Sequence, residues 1–186
     1  VTAMAETTSD RTDGPLSSPT EIKKLREAFG AFATGVTVLT TGGPAPHGMT
    51  ANSFSSVSLD PPLVLVCVDR SAVMHRTLAA AGSFGISVLA SHQESVARHF
   101  ANRRRPLGIG QFEGIRWRPG RRTGAPMIED AVAHFECDLW RSYDGGDHTI
   151  FLGRLLSLAR EPDESGLLFC HGRFHRLDPE PRELSA

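Results

Sequence analysis

The apolar positions fall mostly into short alternating stretches, with one exception. Residues 63–68 (LVLVCV) are apolar without interruption, the pattern of a strand covered on both faces. The segment before them, residues 50–58, is small and polar, with hydroxyls at Thr50, Ser53, Ser55, Ser56 and Ser58 and an amide at Asn52. Asp60-Pro61-Pro62 breaks the two apart. Upstream, Ile22, Leu25, Phe29 and Phe32 recur at helical spacing. They predict a helix capped by Thr20, with Glu21 in its first turn and Gly35 as its stop. Residues 36–41 (VTVLTT) are β-branched and predict a strand, and residues 42–48 (GGPAPHG) a turn.

Downstream, Ser71 can cap a short helix to about Ala80. Residues 84–89 read as a strand, 91–100 as a helix with Glu94 in its first turn, and 102–114 as a loop rich in Arg and Gly. Residues 115–117 and 127–128 are short strand candidates. Two long strands, 131–142 and 148–158, flank an Asp-Gly-Gly hairpin turn, and a last short pair spans 167–170 and 174–177. Many strands, few helices and no regular strand–helix alternation predict a mainly β, antiparallel barrel with peripheral α-helices. The polar residues 1–18 and the end 179–186 lack an apolar period and read as a disordered leader and a flexible tail around one domain, 19–178.

Composition narrows the function classes. A net charge of −1 gives no global field for nucleic acid or an anionic membrane. Nothing approaches the about 20 apolar residues of a membrane span, and no signal segment is visible. The three cysteines, Cys67, Cys137 and Cys170, are widely spaced without a CxxC, which suits reduced thiols and a cytoplasmic protein. None of the eight histidines stands in a metal-binding arrangement. No nucleophile elbow, P-loop or Rossmann glycine fingerprint is present, so hydrolase and kinase readings have no support.

Three features could carry chemistry. Arg103-Arg104-Arg105 is a solvated loop, a dinucleotide phosphate contact or, with least support, a nucleic-acid contact. Residues 50–58 are either a polar edge strand or a hydrogen-bonding wall for a flat heterocycle, with Asp69-Arg70-Ser71 at a helix start as an anion site. His148 follows Asp147 in the glycine-containing turn, where a planar ligand could approach the backbone.

The run Gly48-Met-Thr-Ala-Asn-Ser-Phe-Ser-Ser-Val-Ser58, followed by Asp60-Pro-Pro-Leu63, resembles the short-chain flavin reductases, the reductase components of two-component flavin-dependent monooxygenases. Residues 32–40 (FATGVTVLT), Gly146-Asp147-His148 and His171-Gly172-Arg173-Phe174 agree with it, so the resemblance runs from about Leu25 to Leu177. It implies an FMN-binding split β-barrel that forms a homodimer. Thr50, Ala51, Asn52, Ser53 and Phe54, with Ser55, would line the flavin ring, partly through backbone groups. Cys67, Val68, Asp69, Arg70 and Ser71 would follow the ribityl chain and phosphate. His99 and Phe100 would close the flavin from the next helix. His148, with Asp147, and Phe174 would meet the nicotinamide. Cys170 and Phe174 depart from the family's usual aromatic residue and tyrosine. The implied reaction reduces FMN, or FAD, with NADH, or NADPH, and supplies a separate monooxygenase. The competing expectations are a flavin-binding carrier or sensor without turnover, and a pyridoxamine-phosphate-oxidase-like enzyme on the same barrel.

Overall fold

The computed structural model describes residues 18–161 and 164–177; the expected leader before Ser18 and the tail lie outside them. The elements in chain order are α1 (Pro19–Gly30), β1 (Thr34–Gly35), β2 (Thr37–Thr41), β3 (His47–Ala51), β4 (Ser55–Leu59) and β5 (Pro62–Asp69). Then come α2 (Val73–Ala81), β6 (Ser83–Val88), α3 (Glu94–Ala101), a 3-10 turn (Gly108–Phe112), β7 (Trp117–Pro119) and β8 (Pro126–Ile128). The long hairpin β9 (Ala133–Gly145) and β10 (His148–Arg160) is followed by β11 (Leu167–Cys170) and β12 (Arg173–Arg176).

Seven strands form one antiparallel sheet in the order β3-β2-β6-β9-β10-β5-β4. Leu39 of β2, Val64, Val66 and Val68 of β5, Phe84 and Ile86 of β6, Cys137 of β9 and Phe151 of β10 meet in one buried cluster. Side chains from strands so far apart in one sheet can meet only if the sheet curls upon itself. Met74 and Leu78 of α2, both fully buried, fill the hollow. The other face of β2 is covered as well: Val36 and Val38 pack with Leu89, Ala97, Phe100, Phe112, Ile128 and Leu167. Cover on both faces is why every residue of β2 is buried.

The curled sheet is split rather than closed. Its two edge strands, β3 and β4, are consecutive in the chain, joined by Asn52, Ser53 and Phe54. No ladder joins them, but Ser53 spans the gap. Its Oγ donates to the Cys67 carbonyl at 2.9 Å and accepts from the Cys67 amide at 3.0 Å. The polar segment 50–58 is therefore not one edge strand but the ends of two opposite edges and the crossing between them.

Several boundaries differ from the expected ones for local reasons. Helix α1 starts two residues earlier: Ser18 is the cap, accepting from the Glu21 amide, while the Glu21 carboxylate accepts from the Ser18 amide. It ends at Gly30, because Thr34 and Gly35 are taken into a ladder with β11. The cap position of α2 is Ala72; the Ser71 hydroxyl is turned to Asp69 instead. Helix α3 begins at Glu94, since Gln93 spends its side chain on the Ala90 amide and the Glu129 carbonyl. His47 and Gly48 belong to β3 rather than to a turn. The apolar face of α1 finds no cover among the described residues: no residue of the helix is buried, and Phe29 and Phe32 are 69% and 77% exposed.

Candidate functional site

A cavity of about 550 Å³ opens where the end of β3, the end of β5 and the start of α2 converge. Gly48 lets β3 approach α3 closely there, since a Cβ at this position would stand 2.6 Å from the Phe100 ring. As an edge strand, β3 has a second side that needs partners. Side chains supply them: the fully buried Gln111 accepts from the Gly48 amide at 2.8 Å, and Arg105 donates to the Gly48 carbonyl. Gln111 also donates to the carbonyls of Pro46 and Gly108, each at 2.9 Å. The loop containing the arginine triplet is thereby fastened to the strand that forms one cavity wall.

That wall exposes different groups from those its composition suggests. The Thr50 hydroxyl donates to the Ala97 carbonyl at 2.7 Å and the Ser53 hydroxyl is held by Cys67, so both fix the wall. Asn52 is exposed, and among the described residues its side chain has no partner. The amides of residues 52–54, outside any ladder, make no backbone bond. A ligand at this end meets Asn52 and backbone donors, between the apolar Met49, Met74 and Phe100.

The opposite end suits an anion. The first amides of α2, at Val73 and Met74, have no intrahelical acceptor and border the cavity. Arg26, Arg103 and Arg105 line it too, against a single carboxylate, Asp69. Asp69 accepts from the Ser71 hydroxyl and amide, each at 2.7 Å. These bonds hold its carboxyl below the ordinary range, assisted by His148 and Arg103. Arg103 stands 3.6 Å from Asp69. His47 is pushed down to about 4 by burial and by the Arg105 guanidinium, so it is neutral at pH 7. Burial raises the Cys67 thiol, which keeps it a thiol at the cavity wall.

His148 opens β10 directly opposite Asp69, the last residue of β5. Its Nδ1 lies 2.7 Å from the Asp147 carboxylate. The half-exposed ring borders the cavity at its mouth.

Of the residues expected at the site, Thr50, Ala51, Asn52, Ser53, Cys67, Asp69, Ser71, Phe100 and His148 line the cavity. The others do not. Phe54 stacks on Phe135 with centroids 5.6 Å apart, and Val68 is in the core. Ser55 bonds to the neighbouring Ser56 carbonyl. His99 ties α3 to the Gln111 carbonyl at 2.6 Å. Asp147 supports His148 from outside. Phe174 packs edge-on against Phe169 at 5.2 Å beneath the Arg98 guanidinium. Arg70 turns away to the β9–β10 turn. In its place stand Arg103 and Arg105, read from sequence as loop or phosphate contact, and Arg26, which carried no sequence signal at all.

A curled antiparallel sheet plugged by a helix, with Asn52, the open amides of α2 and three arginines lining one cavity, is a split β-barrel. The chain belongs to the family of the flavin reductase like domain, whose pattern matches residues 29–178. An NADH-dependent FAD reductase from Streptomyces globisporus is 54% identical over 168 residues, 90% of this chain and 92% of the relative. The solved NADH:FAD oxidoreductase SgcE6 of Streptomyces globisporus C-1027, in complex with NAD and FAD fragments, has a TM-score of 0.83. It is 51% identical, over 90% of this chain and 99% of its own. BorF, the flavin reductase component of a bacterial two-component tryptophan halogenase, has a TM-score of 0.82 and 54% identity, over 85% and 99% of the two chains.

Proposed function

We propose that the chain is an NADH-dependent flavin reductase that accepts FAD and FMN and passes the reduced flavin to a separate flavin-dependent monooxygenase or halogenase component. The carrying observation is that a single cavity joins polar groups at Asn52 and Ser53, the open amide end of α2 and His148. The names of the similar proteins support the same reaction. FAD is favoured over the FMN expected first. Arg26, Arg103 and Arg105 line the cavity with one carboxylate, Asp69, a surplus of positive charge that suits two phosphates better than one.

When bound, flavin supplies the hydride acceptor and NADH the donor. The chain's residues bind and orient. Asn52 and the amides of Asn52 and Ser53 would hold the ring, and Met49, Met74 and Phe100 would keep water from it. Val73, Met74 and Arg103 receive phosphate. His148, fixed by Asp147, orients the nicotinamide at the mouth, and the hydride step needs no side-chain acid or base.

Exposed Phe29, Phe32, Leu59 and Leu158 support a homodimer. The free cysteines support a reducing, cytoplasmic setting. Among the described residues no helix is long and apolar enough to cross a membrane.

The test is NADH absorbance, followed anaerobically with FAD, FMN or neither. Rapid NADH loss that requires added flavin is expected, with the lower KM for FAD. A protein that binds flavin and leaves NADH untouched would instead be a carrier.

A further inference from the structure

Arg70 is well placed for a phosphate by sequence, one residue before Ser71, yet its side chain is committed elsewhere. Its Nε donates to the Gly146 carbonyl at 2.9 Å, and its terminal nitrogen pairs with the Asp144 carboxylate at 2.9 Å. The other oxygen of Asp144 accepts from the Gly146 amide at 2.9 Å. The Gly146 peptide unit and its neighbour are thus held on both sides, at a residue with φ of 79° that only the turn requires. The main chain adds one more tie, from the Arg70 amide to the Asp147 carbonyl at 3.0 Å. The next residue after this clamp is His148.

We propose that Arg70 is a positioning residue for the nicotinamide nucleotide, acting through the 144–147 turn to fix His148 and Asp147 at the cavity mouth. This rests on the reading of His148 given above. The two-residue Gly146-Asp147 turn at the tip of a long hairpin is otherwise free to swing, and a planar fork restrains it at two points where a lysine would restrain it at one. Asp144 separates this role from phosphate binding. Its side chain is 80% exposed and does not line the cavity, so removing it cannot weaken a flavin contact directly.

The experiment compares Arg70→Ala, Arg70→Lys, Asp144→Ala and His148→Ala in steady-state assays with FAD, FMN and NADH, together with amide hydrogen exchange of the turn. Arg70→Ala and Asp144→Ala are each expected to raise the KM for NADH about threefold to tenfold, the size of a lost charge-assisted contact. Both should leave the flavin KM unchanged and speed exchange at the Gly146 amide. Arg70→Lys should recover part of the NADH loss. A raised flavin KM in Arg70→Ala with Asp144→Ala silent would make Arg70 a phosphate ligand and overturn the proposal. So would a raised NADH KM in His148→Ala with both clamp variants unchanged. If His148→Ala itself leaves the NADH KM unchanged, the assignment of His148 fails first and the positioning role falls with it.

Discussion

His47 shows how a cavity-wall residue can set a pH limit. Burial and the adjacent Arg105 lower its pKa from the usual 6.5 to about 4, so the folded chain favours the neutral ring. The unfolded chain then binds more protons between those values. The stabilisation is complete above pH 6.5 and is lost progressively as pH falls towards 4, by at most about 3 kcal/mol. Urea midpoints measured at pH 7 and at pH 4.5 should therefore lie closer together in His47→Gln than in the parent; equal spacing would show that His47 titrates normally. Arg103 illustrates a different residue-scale point. Its exposed guanidinium reaches the anion-binding end of the cavity, so Arg103→Gln should raise the KM for FAD and FMN by several-fold and spare riboflavin, which has no phosphate. Equal losses for all three flavins would refute a phosphate role. Neither Arg103 nor Arg26 could be chosen over Arg70 from sequence, because spacing along the chain says nothing about which guanidinium a distant turn captures.

At the scale of elements, packing decided what the sequence could reveal. The continuous run 63–68 was legible as a buried strand because α2 and the curled sheet cover it. The hairpin was legible because Asp-Gly-Gly imposes its turn. The break at residues 52–54 was not, since short polar strands on two different edges share the alternation of one. Gly153 in β10 was equally silent. It sits at a register shift against β9, and a Cβ there would lie 2.4 Å from the Phe84 ring and 2.9 Å from the Cys137 Cβ. Both neighbours are fully buried and cannot retreat. Gly153→Ala should destabilise the fold by about 1–3 kcal/mol, seen as a lower urea midpoint at unchanged slope. An unchanged midpoint would mean that β10 can shift away from Phe84.

For the whole molecule, the unresolved tension lies in α1. Its apolar face was legible, but the sequence could not say that none of the described residues covers it: Phe29 and Phe32 are exposed, while Arg26 on the same helix reaches the cavity. The helix is held at its end by the His171 amide, which donates to the Gly30 carbonyl at 2.6 Å. Burying two phenylalanines against a second copy is worth roughly 1.5–3 kcal/mol each, a contribution towards the cost of association. It would also fix Arg26, so that assembly and flavin affinity share one helix. The double variant Phe29→Ser, Phe32→Ser should then dissociate at protein concentrations where the parent stays paired, as followed by sedimentation velocity. Its KM for FAD should rise in the same concentration range. Dissociation without any change in that KM would separate the interface from the site, and unchanged sedimentation would show that Phe29 and Phe32 hold no second copy.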